Sequence, residues 1–113
     1  MRITRLYTDD TGQSHFADVE MELELTDYIP PAPPLYLSAS SPAAGFAFMQ
    51  APAGWSSDWH PSNARNLFLV LTGQWEVTAS DGESRRFGRG TVLLVEDTTG
   101  KGHITHNTGP DDR

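Results

Sequence analysis

The chain has 113 residues, 37% of them apolar, and its fifteen acidic residues outnumber eight basic ones for a formal charge of −7. That length sustains one small core and one domain, near the size at which burial alone is marginal. The acidic balance, with Arg85-Arg86 as the only basic pair, excludes a phosphate-backbone partner, so no nucleic-acid ligand is expected. The absence of cysteine removes disulfides and thiolate metal sites. No signal-peptide pattern opens the chain and no apolar run reaches membrane-spanning length, so the expectation is a cytoplasmic protein without a membrane partner.

In chain order, Arg2 to Tyr7 alternates polar with apolar side chains, the pattern of a half-exposed strand. Asp9-Asp10-Thr11-Gly12 reads as a turn, and His15 follows at the edge of the next element, where a surface or interface role is expected. Val19 to Leu25 has a clean period of two, which predicts a strand with Val19, Met21, Leu23 and Leu25 on the core and three glutamates on a solvated face. Pro30-Pro31-Ala32-Pro33-Pro34 is a stiff connector, because proline lacks a ladder donor. Leu35 to Ser38 resumes as a strand, and Gly45 to Gln50 predicts another, with Phe46 and Phe48 on one face. No helix of three turns is predicted anywhere, and short strands with Gly and Pro punctuation indicate a sandwich or barrel.

The second half is richer in signals. Asn66 to Thr72 predicts a strand by its apolar and aromatic content, and Gly73-Gln74 turns it into Trp75 to Ala79. Asp81-Gly82 predicts a type I′ hairpin, in which both central residues have positive φ. The chain returns through Arg85-Arg86-Phe87 to Gly88-Arg89-Gly90, and Thr91 to Val95 predicts a buried strand. Asp97, beside Glu96 at the end of that strand, is expected to bond backbone amides near Thr99. In the last strand, parity puts His103, Thr105 and Asn107 on one face and His106 on the other.

Two constellations stand out. Asp58-Trp59-His60 precedes a strand in which six residues separate Asn66 from Gly73. Gly90, Val92 to Val95, Gly100, Gly102, His103 and Asn107 then follow in order. Together they resemble the two signature motifs of the cupin superfamily, and Glu96 to His103 is similar to a segment of small single-domain bacterial cupins. The resemblance implies an all-β fold of the cupin type, a double-stranded β-helix or jelly-roll barrel. One domain would span residues 1–113, with N-terminal strands in 1–50 and the motif-bearing half in 55–107. It also implies a homodimer, with Ile3 to Phe16 in the contact.

Carried over residue by residue, His60 takes the place of one motif histidine and His103 of another, while Asp58 stands where a histidine is usual and Asn66 where a glutamate is usual. The implied metal set is His60, His103 and Asp58, suited to Fe, Mn, Ni or Zn. Asn66, Trp55, Trp59, Phe68 and Asn107 are the expected contacts to a small organic ligand, with the two tryptophans at the rim. Isomerase, lyase or dioxygenase chemistry would follow. A neutral amide in place of the glutamate gives up charge that offsets the dication, so the alternative is a metal-free barrel that binds or senses a small ligand without catalysis. The resemblance also implies another apolar strand after the second motif, which the residues after Asn107 do not supply.

Overall fold

The structure, a computed structural model, describes residues 1–109. Among them there are nine strands and no helix: β1 (Arg2–Thr8), β2 (Ser14–Glu20), β3 (Glu24–Thr26), β4 (Leu35–Leu37), β5 (Asn66–Leu69), β6 (Gln74–Ala79), β7 (Ser84–Gly88), β8 (Val92–Val95) and β9 (His103–Asn107). They form a four-stranded sheet in the order β2-β1-β8-β5, a three-stranded sheet in the order β7-β6-β9, and a separate β3-β4 pair. Among the described residues no helix is long and apolar enough to cross a membrane.

The two larger sheets face each other across one core. Leu6, Phe16, Leu93 and Val95 come from the first, and Val77, Ala79 and Phe87 from the second, with Phe68 and Val70 packed against them. Phe16 meets Phe87 with ring centroids 6.0 Å apart, a tilted pair within the range that aromatic side chains favour. β1 lies inside its sheet, antiparallel to β2 and parallel to β8 with Arg5 opposite Leu94. Ile3, Leu6 and Phe16 are therefore buried in the chain's own core. Those side chains are not available to the partner contact expected at Ile3 to Phe16.

The hairpin ends carry the turn chemistry in altered form. Asp81 does not have positive φ, whereas Gly82 does, at 96°. The Gly82 amide donates to the Ala79 carbonyl at 3.0 Å and the Ala79 amide to the Glu83 carbonyl at 2.9 Å. The loop is therefore a three-residue turn closed by one left-handed glycine, not the expected type I′ hairpin. The glycine provides the left-handed residue, and Asp81 contributes instead by accepting the Glu83 amide on its carboxylate.

The largest departures lie between residues 19 and 50. β2 ends at Glu20 and the period-two run breaks before β3, leaving Leu23 and Leu25 exposed. Residues 45–50 form no strand, and Phe46 and Phe48 are 90% and 83% exposed. Alternation predicts a two-faced strand only if something covers the apolar face, and among the described residues nothing covers these. The all-β class stands, but the sheets do not close into one barrel.

Candidate functional site

The segment Trp55 to His60 runs along the free edge of β9. The Ser57 amide donates to the Thr105 carbonyl at 2.9 Å, and the Asn107 amide to the Trp55 carbonyl at 2.8 Å. At the far end His60 and His103 exchange both backbone bonds, at 3.1 and 3.0 Å. Residues directly opposite in an antiparallel pair project to the same side. The two rings accordingly sit 4.9 Å apart between centroids, tilted by 58°.

This pairing depends on the residue just before His103. Gly102 has φ of 75°, and a Cβ there would overlap the backbone of His60 and Pro61. A side chain at that position would push the two backbones apart. Behind the pair, Ser62 donates its amide to the Asp97 carbonyl at 2.9 Å, which fastens the loop after His60 to the end of β8.

Exposed His60 and buried His103 line one half-open hollow of about 340 Å³ together with Pro61, Ser62, Asn63, Asn66, Phe68 and Val95. It opens at the seam where β5 and β8 of one sheet approach β9 of the other. Its lining divides into apolar groups, Phe68, Val95 and Pro61, and polar ones, the two imidazoles and the Ser62-Asn63-Asn66 cluster. Asn66 donates through Nδ2 to the Ser62 hydroxyl at 3.3 Å and to the Ala64 carbonyl at 3.2 Å, so its amide nitrogen is held by the loop. A second hollow of equal volume, between Arg2, Asp18 and Thr91, contains no histidine.

Asp97 is the residue that sequence reasoning assigned to the wrong partner. Its side chain is fully buried, and Oδ2 lies 2.5 Å from Nδ1 of His103, itself only 7% exposed. A carboxylate only accepts, so Nδ1 donates and the lone pair of His103 rests on Nε2. Nδ1 of His60 is 3.0 Å from the Pro61 carbonyl, which likewise can only accept, so its lone pair also falls on Nε2. The other oxygen of Asp97, Oδ1, is buried without a hydrogen-bond partner. A buried orphan acceptor costs about 1–3 kcal/mol, and such groups collect at functional sites. The available signal was an aspartate six residues before a histidine across a Gly-rich turn.

The other expected site residues fall elsewhere. Asp58 is exposed and does not line the cavity. Trp55 packs edge-on against Trp75 at 6.3 Å, and Trp59 is half exposed. Asn107 is buried, but it donates to the Pro52 carbonyl and accepts from the Gly109 amide, so it ties the chain together away from the cavity. His15 is a structural residue that bridges Asp9 at 2.6 Å and Asp81 at 2.8 Å. Glu96 pairs with Arg5 and Arg65; burial opposes its ionisation, but the two guanidiniums outweigh it and hold the carboxyl below its usual range.

Among the described residues no three His, Cys, Asp or Glu side chains are grouped to hold a metal ion. The set assembled from spacing thus reduces, at the cavity, to two imidazoles. No protein-family model, curated protein or solved structure matches the chain.

Proposed function

We propose that this chain is a cupin-like domain whose cavity binds a small organic molecule directly through the imidazoles of His60 and His103. The observation that carries the reading is the convergence of those two rings, far apart in sequence, on one half-apolar cavity. Phe68, Val95 and Pro61 would take the carbon skeleton, and the two Nε2 atoms, each with a lone pair, would accept hydrogen bonds from ligand hydroxyls. With Asp97 holding its Nδ1–H, His103 is oriented to accept a proton from a bound ligand, the arrangement of a general base.

A second reading keeps a divalent metal. A buried carboxylate on the far nitrogen of an imidazole is the support that metal-bound histidines commonly have, and Asp97 stands in that relation to His103. The donor set fits poorly, however. Two neutral imidazoles bring no charge to offset a dication, and Asn66 adds none. Fe, Mn, Ni or Zn would depend on an anionic ligand for the remaining positions.

Thermal-shift screening of the purified chain against small hydroxy and keto acids, with and without chelator, separates the readings. Direct binding predicts a stabilising acid whose effect survives chelation and disappears in His60→Ala and His103→Ala. Stabilisation that requires Mn, Fe, Ni or Zn favours the second reading. An acid that stabilises the wild type and both variants equally overturns the use of this cavity.

A further inference from the structure

We infer that the chain is an arm-exchanged homodimer, in which residues 22–50 of one copy cover the outer face of β5 in the other. This arm holds β3 and β4, which pack on each other and have no substantial contact with any other strand. Leu25, Tyr28, Ile29, Tyr36, Phe46 and Phe48 are all exposed on it. A two-stranded ribbon with both faces in water is at best marginally stable, so the arm requires a surface to lie on.

That surface is present on the sandwich. β5 is an edge strand whose inner side chain Phe68 packs on the core, while Leu67, Leu69 and Leu71 point outward and are 56%, 61% and 61% exposed. Leu94 and Val92, opposite Leu67 and Leu69 in the ladder, extend the same outer face. An edge strand with a free ladder and an apolar outer face is a template for pairing with added chain.

The extent of uncovered surface fits a second copy. The chain exposes 7869 Å², against roughly 6,100 Å² for a compact monomer of its mass. Its radius of gyration is 16.0 Å, where a compact domain of this length has about 13 Å. Burying the surplus in each of two copies removes about 3,500 Å² in total, inside the range of about 2,000–5,000 Å² seen in obligate homodimers. The arm leaves from β2, at the opposite edge of the sheet from β5. One two-fold exchange satisfies both surfaces at once, because each copy carries both.

Sedimentation velocity of the full chain at micromolar concentration is expected to give twice the 12.4 kDa chain mass, and Leu67→Asp/Leu69→Asp to give monomer. Because the chain has no cysteine, exposed single-cysteine variants report the contact directly. Phe48→Cys mixed with Leu69→Cys, refolded together and treated with a short bis-maleimide, is expected to give a cross-linked pair containing one of each. A wild-type monomer overturns the inference. So does the absence of the mixed Phe48→Cys/Leu69→Cys pair, or dimers that join Leu69 only to Leu69.

Discussion

Asp97 and His103 form a pair out of solvent, with Oδ2 of the carboxylate 2.5 Å from Nδ1 of the ring, while the second carboxylate oxygen has no partner. The first contact orients the imidazole and the second is a cost, so the pair is better suited to holding a ring in place than to holding the fold together.

Asp97→Asn separates the two roles. Losing a charge-assisted hydrogen bond costs about 1.5–3 kcal/mol, while relieving a buried, half-satisfied carboxylate returns about 1–3 kcal/mol. The expected net change in urea unfolding is therefore small, at most a loss of about 2 kcal/mol. Affinity for an acid found in the cavity is expected to fall at least roughly tenfold, because the His103 ring is no longer held in one tautomer. A loss of several kcal/mol with unchanged affinity would make Asp97 a structural residue.

Gly102→Ala tests the backbone that brings the histidines together. The added Cβ meets the His60 and Pro61 backbone, at a φ that alanine rarely adopts. A cost above about 2 kcal/mol in urea unfolding is expected, the sum of left-handed strain and displacement of the bridge. Gly82→Ala provides the comparison, since its φ is also positive but no atom lies within 4 Å of the new Cβ. There only the strain remains, about 1 kcal/mol. Equal costs at the two positions would show that the His60–His103 bridge does not constrain residue 102.

His15 joins the β1–β2 turn to the β6–β7 turn through Asp9 and Asp81. The hydrogen bond to Asp9, then that to Asp81, raises the His15 pKa above its ordinary 6.5 against the opposing effect of burial. The contact with His15, followed by that with Thr11, holds the Asp9 carboxyl well below its ordinary 3.8. The histidine's contribution is complete below pH 6.5 and is lost as pH rises through the raised value. The aspartate's is complete above pH 3.8 and is lost as pH falls through the lowered value. The Tm difference between wild type and His15→Gln is therefore expected to be largest between pH 3.8 and 6.5 and to shrink in alkaline buffer. A difference independent of pH would show that the staple is not ionic.

The parts of this fold that were legible in sequence are those whose local pattern and tertiary surroundings agree. β6 and β8 combine apolar content with glycine-marked ends, and each has sheet neighbours and a share of the core; β9 is marked by Gly102 before it and pairs with β6. That the rings of His60 and His103 come together was legible through the motif order on which the resemblance rests. Val19 to Leu25 and Gly45 to Gln50 were not, because alternation records which faces differ and not whether either is covered. The partner of Asp97 was illegible for a related reason. A short acidic side chain in a Gly-rich turn ordinarily bonds nearby amides, and only the fold brings the His103 ring within its reach.

The most direct test is long-range ¹H–¹⁵N correlation of the imidazole rings in the full chain, combined with nuclear Overhauser contacts between them. His103 is expected in the Nδ1–H tautomer, in contact with the His60 ring, and both rings are expected to shift together when a cavity acid is added. A His103 ring that carries its proton on Nε2, shows no contact with His60, or stays still while the acid binds would contradict the shared cavity on which the functional reading rests.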